Sequence, residues 1–248
     1  MRKFFSFVSH EANDLKILLR NFPSLTFSFF ILAVVCANLM ANKDLVSFKY
    51  VAIDCGFVFS WIMFLCMDII CKRWGAKPAI KISLVALAVN LFVCFSFALL
   101  AKTPGNWGEY YASENLLVNN ALNATFAGSW YVVLGSSVAF VSSSVVNALL
   151  NCAIGNIFRS DGFFSFASRS YISTAIAQFV DNFVFATIVS RVLFGWTWIQ
   201  VFTCSAIGAG FELLCEIFFS GLGYKVVRQW EKEEVGQEYI EYKKACAK

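Results

Sequence analysis

Eight polar side chains sit inside or at the edges of long apolar runs: Asn38, Asp68, Ser144, Asn147, Gln178, Asp181, Glu212 and Glu216. Carboxylates accept hydrogen bonds, whereas amides donate and accept. One carboxylate can take two adjacent N–H donors of a planar heterocycle. Gln or Asn can read a neighbouring donor–acceptor edge. Trp61, Tyr131, Phe179 and Phe183 are candidate stacking surfaces. No basic residue is clearly placed within an apolar run. This inventory suits a flat, polar ring that is neutral or weakly basic. It does not suit a long lipid or a highly anionic ligand.

An acid at bilayer depth costs about 2.5–3.5 kcal/mol on insertion scales. Such groups therefore face a protein interior. The bland reading is that they only pair with one another between helices. Several carboxylates with few cations would then stay unpaired or take protons. A polar pocket within a bundle is the sharper reading.

The chain has 248 residues, is 59% hydrophobic and has a mean hydropathy of +0.67. Six apolar runs cover residues 25–41, 51–70, 80–100, 130–152, 171–190 and 198–219. About 20 apolar residues cross the hydrocarbon core as a helix. The runs are too continuous for barrel strands, which alternate over ~10 residues. The expected fold is all-α, a polytopic six-transmembrane-helix bundle. Three segments follow: an amphipathic lead-in (1–24), the membrane domain (25–222) and a charged, solvated tail (223–248).

Net charge is +4, and its placement is informative. Sixteen Lys and Arg residues lie before run one, between runs two and three, between four and five, or after run six; four lie on the other side. This positive-inside bias predicts cytoplasmic N- and C-termini in a cell (inner) membrane. It also accounts for the basic residues without nucleic acid. No signal peptide is expected, because Glu11 and Asp14 interrupt the N-terminal segment. The lipid bilayer is the one certain partner. Nine scattered cysteines with a single histidine offer no metal site and no disulfide framework. No cofactor is expected.

Thr174, Gln178 and Asp181 step by four and then three, so they share a helical face. Ser144 and Asn147 repeat the three-residue step. The two runs could be degenerate copies of one unit, as in transporters built from repeats. Run four also carries Ser136, Ser137, Ser142 and Ser143. These hydroxyls either bond their own backbone or form one wall of a hydrated cavity. Ala33, Ala37 and Ala41 let another helix approach closely, from within the chain or from a separate subunit.

The ordered motifs resemble the VUT family of queuosine-precursor transporters. Ala37-Asn38-Leu39-Met40-Ala41-Asn42-Lys43 is similar to the family's first span. Met67-Asp68-Ile69-Ile70 followed by Arg73-Trp74-Gly75-Ala76-Lys77-Pro78-Ala79 is similar to its second. Ser173-Thr174 with Gln178-Phe179-Val180-Asp181-Asn182 resembles its Ser-Thr/Gln-x-x-Asp span, and residues 211–224 resemble its last, with Glu216 at an often acidic position. The resemblance implies six helices and import of 7-deazaguanines such as preQ0, preQ1 or queuine. It carries over most directly to Asp68, Gln178 and Asp181, and also to Asn38. Ser144 and Asn147 stand where the family often has Gln and Asp. Glu212 stands where a lysine is common, which would favour a cationic amine such as preQ1.

Other classes compete. The chain could be the substrate-binding S component of an energy-coupling-factor transporter, docking a scaffold subunit through the alanine row. A homo-oligomer is a further option. An intramembrane aspartyl enzyme would pair Asp68 with Asp181, but Asp181 lies in Phe-Val-Asp-Asn rather than Gly-x-Gly-Asp. His10 lies outside the runs, so histidine-dependent chemistries lack a base. No Walker motif is present, so the chain itself is not expected to hydrolyse ATP.

Overall fold

The computed structural model describes residues 2–157 and 163–246; side chains are described except at 2–8, 64, 68, 76, 144, 147, 148, 151–157, 163–170, 173, 216 and 220. The long helices are α1 (Arg2–Asn21), α2 (Ser24–Met40), α3 (Phe57–Trp74), α4 (Ala76–Leu100), α6 (Leu116–Ile157), α7 (Phe163–Phe185) and α9 (Trp198–Lys232). Shorter ones are α5 (Gly108–Ser113), α8 (Arg191–Phe194) and α10 (Gln237–Cys246).

Four described stretches are long and apolar enough to cross a membrane: Lys77–Leu100, Leu116–Ser143, Thr174–Phe194 and Trp198–Phe219. Ser9–Asn21 and Ser24–Met40 add a fifth candidate if taken together, but they are bent by 109°. The bend falls at Pro23, whose carbonyl accepts from Phe27 N at 3.0 Å. Proline is at ease there because a first-turn N–H has no intrahelical partner. The molecule is thus a helical, multi-pass membrane protein. Its outer faces are apolar; Phe92, Phe95 and Phe218 are exposed. Its interior holds polar groups, including Asn90, Gln178 and Glu212.

The second apolar run does not begin as a helix. Asp44–Ser47 (β1) and Ala52–Asp54 (β2) form an antiparallel hairpin, pairing Asp44 with Asp54 and Ser47 with Ala52. Helix α3 starts only at Phe57. Hydropathy averages over a window and cannot separate an apolar strand from a helix start. The hairpin tip leans on α9: Gln200 Nε2 donates to Phe48 O at 2.9 Å, and Thr203 Oγ1 to Tyr50 O at 2.6 Å. Helix α9 itself opens with a capping box between Thr197 and Gln200. The stretch between the third and fourth apolar runs is partly helical, because α5 and the start of α6 lie within it. At 42 residues α6 is roughly 63 Å long, about twice a hydrocarbon core.

The tail does not stand free as a solvated extension. Val227, Trp230 and Tyr239 are buried. Trp74 packs between Phe22 and Trp230, with ring centroids at 5.1 and 5.4 Å. Arg73 donates twice to Val235 O. Gly236, at φ +70°, passes so close to Trp74 that a Cβ would sit 2.5 Å from its Nε1. At the centre lies Asp14, fully buried on α1. It accepts from Lys81 of α4, from Lys243 Nζ at 3.0 Å and from Tyr239 Oη at 3.2 Å. Burial disfavours the Asp14 charge, but hydrogen bonds from Lys81 and Lys243 outweigh it and hold its pKa below the ordinary value. The lead-in and tail therefore clasp each other on the end of α4.

A carboxylate with a depressed pKa adds stability above its unfolded value of ~3.9 and loses it as pH falls through the folded value. The melting temperature of the purified protein should therefore fall below pH ~4, and less steeply in Asp14→Asn. At neutral pH, Asp14→Asn should cost about 1.5–3 kcal/mol, the worth of hydrogen bonds to a charged group, read as a lower melting temperature.

Candidate functional site

A cavity opens where α2, α3, α6, α7, α9 and the hairpin meet. About 80 Å³ of it is reachable by the centres of water-sized molecules. One water needs only about 10–15 Å³ on a comparable measure. Helix α7 contributes Asp181, Asn182 and Phe185; α9 contributes Cys204, Gly208 and Glu212. Asn38 comes from α2, Phe57 and Ser60 from α3, Ser136 from α6, and Asp54 from the hairpin.

Each polar wall is held by a neighbour. Ser143 Oγ donates to Asp181 Oδ1 at 2.8 Å, tying α6 to α7. Asn182 Nδ2 donates to Glu212 Oε2 at 3.2 Å, tying α7 to α9. Gly208 gives Asn182 room; a Cβ there would lie 2.9 Å from its Nδ2. Asp54 Oδ1 accepts from Gly56 N at 2.8 Å, a local turn that points the carboxylate at the cavity. Asn38 spends one amide hydrogen on Val34 O at 2.9 Å. Among the described lining residues there is no Lys, Arg or His.

Of the residues expected from sequence, Asn38, Asp181 and Glu212 converge on this cavity. Gln178 does not line it. It lies one turn before Asp181 and Asn182 on α7, 1% exposed, with neither amide atom partnered among the described residues. The side chains of Asp68, Ser144, Asn147 and Glu216 lie outside the described residues. The expected stacking residues are used elsewhere: Trp61 stacks on Phe219, Phe179 on Phe183, and Tyr131 Oη donates to Ile188 O. Phe57 and Phe185 supply the aromatic walls instead.

Among the acids and amides that line the cavity, two were missed. Asp54 sits at the edge of the second apolar run, where an acid reads as a boundary. Asn182 follows Asp181 directly, and a 100° step takes it off the face that Thr174, Gln178 and Asp181 share. The cavity spans both faces of α7. The serines do both expected jobs: Ser137 and Ser142 bond backbone carbonyls four residues back, while Ser143 also reaches Asp181 and Ser136 lines the cavity.

Of the two glycines that line the cavity, Gly56 makes the tighter approach, against α2. A Cβ at Gly56 would lie 2.6 Å from Ala37 O and 3.1 Å from Ala41 Cβ. Ala33, Ala37 and Ala41 are all buried inside the chain. The small-residue row is thus filled internally and is not an open docking face.

Residues 54–229 match the family model described as "Putative vitamin uptake transporter". The chain belongs to this transporter family. It is also 26% identical over 174 residues to a protein of Bacillus subtilis (strain 168) named "Probable queuosine precursor transporter", covering 68% of this chain and 70% of that protein. No solved structure matches it. The transporter is not an enzyme, and the Asp68–Asp181 dyad is set aside. The matched segment starts at Asp54 and contains most of the cavity walls, but not α2 or the clasp helix α1.

Gly56→Ala should push the hairpin off α2 and lower stability by about 1–3 kcal/mol, the usual range for overpacking. Gly128→Ala, inside α6 where a Cβ would meet nothing within 4 Å, should not lower the melting temperature and should raise it slightly, by about 0.5–1 kcal/mol of helix stability. Parallel thermal melts in detergent check both.

Proposed function

We propose that the transporter imports a queuosine precursor of the 7-deazaguanine class, preQ0, preQ1 or queuine, through this cavity. The observation that carries the reading is the adjacent carboxylate and amide of Asp181 and Asn182, flanked by Phe57 and Phe185. A 2-amino-4-oxopyrimidine edge offers two neighbouring N–H donors and a carbonyl acceptor. A carboxylate takes the two donors, and an amide N–H meets the carbonyl. Aromatic walls suit the flat faces of the ring. Ser143 holds one Asp181 oxygen and leaves the other available.

Six spans with both termini cytoplasmic, in the cell inner membrane, complete the reading; α3 would be the span beyond the five candidates. Gln178 supports it too. A buried amide without partners costs about 1–3 kcal/mol, and a small shift of α7 that brought it to the cavity would relieve that cost. Asp68, Ser144, Asn147 and Glu216 remain proposed wall residues. Self-association or a scaffold partner would have to use a face other than the alanine row.

Ligand-dependent thermal stabilisation tests the reading, with preQ0, preQ1, queuine, guanine and B-vitamins as probes. At a hundred times Kd a ligand adds about 2.7 kcal/mol of stability. A deazaguanine should raise the melting temperature. Asp181→Asn should weaken that binding about 10- to 100-fold, the loss expected for hydrogen bonds to a charged acceptor. A shift with a vitamin and none with any deazaguanine would move the assignment to vitamin uptake, and an Asp181→Asn variant that binds deazaguanine like the parent would overturn the role given to Asp181.

A further inference from the structure

The cavity brings three carboxylates together and, among the described residues that line it, no cation to answer them. Asp54 comes from the hairpin, Asp181 from α7 and Glu212 from α9. Their described partners are all neutral: the Gly56 N–H, the Ser143 hydroxyl and the Asn182 amide. Three charges of one sign, two of them buried, are costly to hold around one cavity without a cation, which favours a neutral form for at least one.

Local geometry says which. Glu212 is 2% exposed. It is the deepest of the three, against 9% exposure for Asp54 and a half-buried Asp181, and burial favours the neutral form. Ser60 stands beside it on α3, but its one hydroxyl hydrogen is shared with Phe57 O, 3.0 Å away. On its other side Asn182 donates to Oε2, which a neutral acid still accepts. Asp181, by contrast, receives a hydroxyl donor at 2.8 Å, and Asp54 a backbone N–H at 2.8 Å. Both of those contacts favour an ionised group.

We infer that Glu212 is the proton-carrying residue of this transporter, and that a proton crosses the membrane together with the substrate. The proposal rests on the cavity being the transport site. Neutral Glu212 is favoured while the cavity is shut off from bulk water. Water that reaches it when the cavity opens on the cytoplasmic side favours the carboxylate. The O–H bond forms with a proton from the outer aqueous phase and breaks to inner water, so no other reactant is needed. Asn182 links the event to structure, because it bridges α7 and α9 through Glu212. The titratable groups that share the cavity with Glu212 are Asp54 on the hairpin, Asp181 on α7 and Cys204 on α9; α2, α3 and α6 contribute none among their described lining residues.

Infrared spectroscopy of the purified protein at neutral pH tests protonation without any ligand. A neutral carboxylic acid carbonyl band should be present in the parent and in Asp54→Asn, and lost in Glu212→Gln. Its absence from the parent, or its survival in Glu212→Gln, overturns the proposal. The second arm uses proteoliposomes and labelled preQ1. An outside-acid gradient of one pH unit should drive up to about tenfold accumulation, since one unit is equivalent to a tenfold ratio per proton. In Glu212→Gln the ratio of uptake with and without the gradient should fall to about one, whatever its absolute rate, because no proton is carried. Uptake by the parent that ignores the gradient, or proton release on preQ1 binding, also overturns it. Failure to bind any deazaguanine would sink the substrate assignment alone, because the infrared result still decides the proton.

Discussion

Lipid offers no hydrogen-bond partner, and that one fact arranges this molecule. Every acid or amide in an apolar helix must find its partner inside the bundle or remain unsatisfied. The helices therefore turn polar residues towards one another and phenylalanines such as Phe92, Phe95 and Phe218 outward. Ser143 meets Asp181, and Asn182 meets Glu212. The two contacts join three helices at one depth. What they do not fill is the cavity. A bundle that merely satisfied its polar groups would have closed over them; this one leaves space beside three carboxylates and an asparagine.

The space survives because backbone, rather than side chain, fills the contacts around it. Gly56 lets the hairpin touch α2, and Gly208 lets Asn182 lie across α9. Residues Ala186–Ser190 at the end of α7 form a wider π-helical turn, and Tyr131 donates to a carbonyl within it. Such turns frequently accompany functional sites. Here it directly follows Phe185, a wall of the cavity. The clasp of α1, α4 and α10 holds the opposite end of the bundle, beyond the cavity. One end is thus fixed by ion pairs and aromatic packing, while the site is framed by close backbone approach.

Much of the site was legible in the sequence. Asp181, Glu212 and Asn38 stand out because polar groups are costly in apolar runs and so must have a use. The family was legible for a related reason: its motifs are ordered along the chain as the spans are. Asp54 and Asn182 were hidden because each is flanked by a more conspicuous feature. The stacking aromatics were misassigned because aromatic residues are abundant and sequence gives no rotamers. With 28 phenylalanines, a list of candidate walls has little power to choose Phe57 and Phe185.

Hydropathy and charge alone determined that this is a multi-pass helical membrane protein with an acidic, amide-rich interior, because the cost of burying a polar group in lipid is local and depends only on residue type and spacing. Which polar groups face one cavity depended on tertiary structure. Helix rotation, a hairpin in place of a helical turn, and a tail folded back on the lead-in are settled by contacts between residues far apart in the chain. No local pattern encodes that Glu212 and Asn182, 30 residues apart, share a hydrogen bond while Gln178, one turn away from Asn182, is left without one.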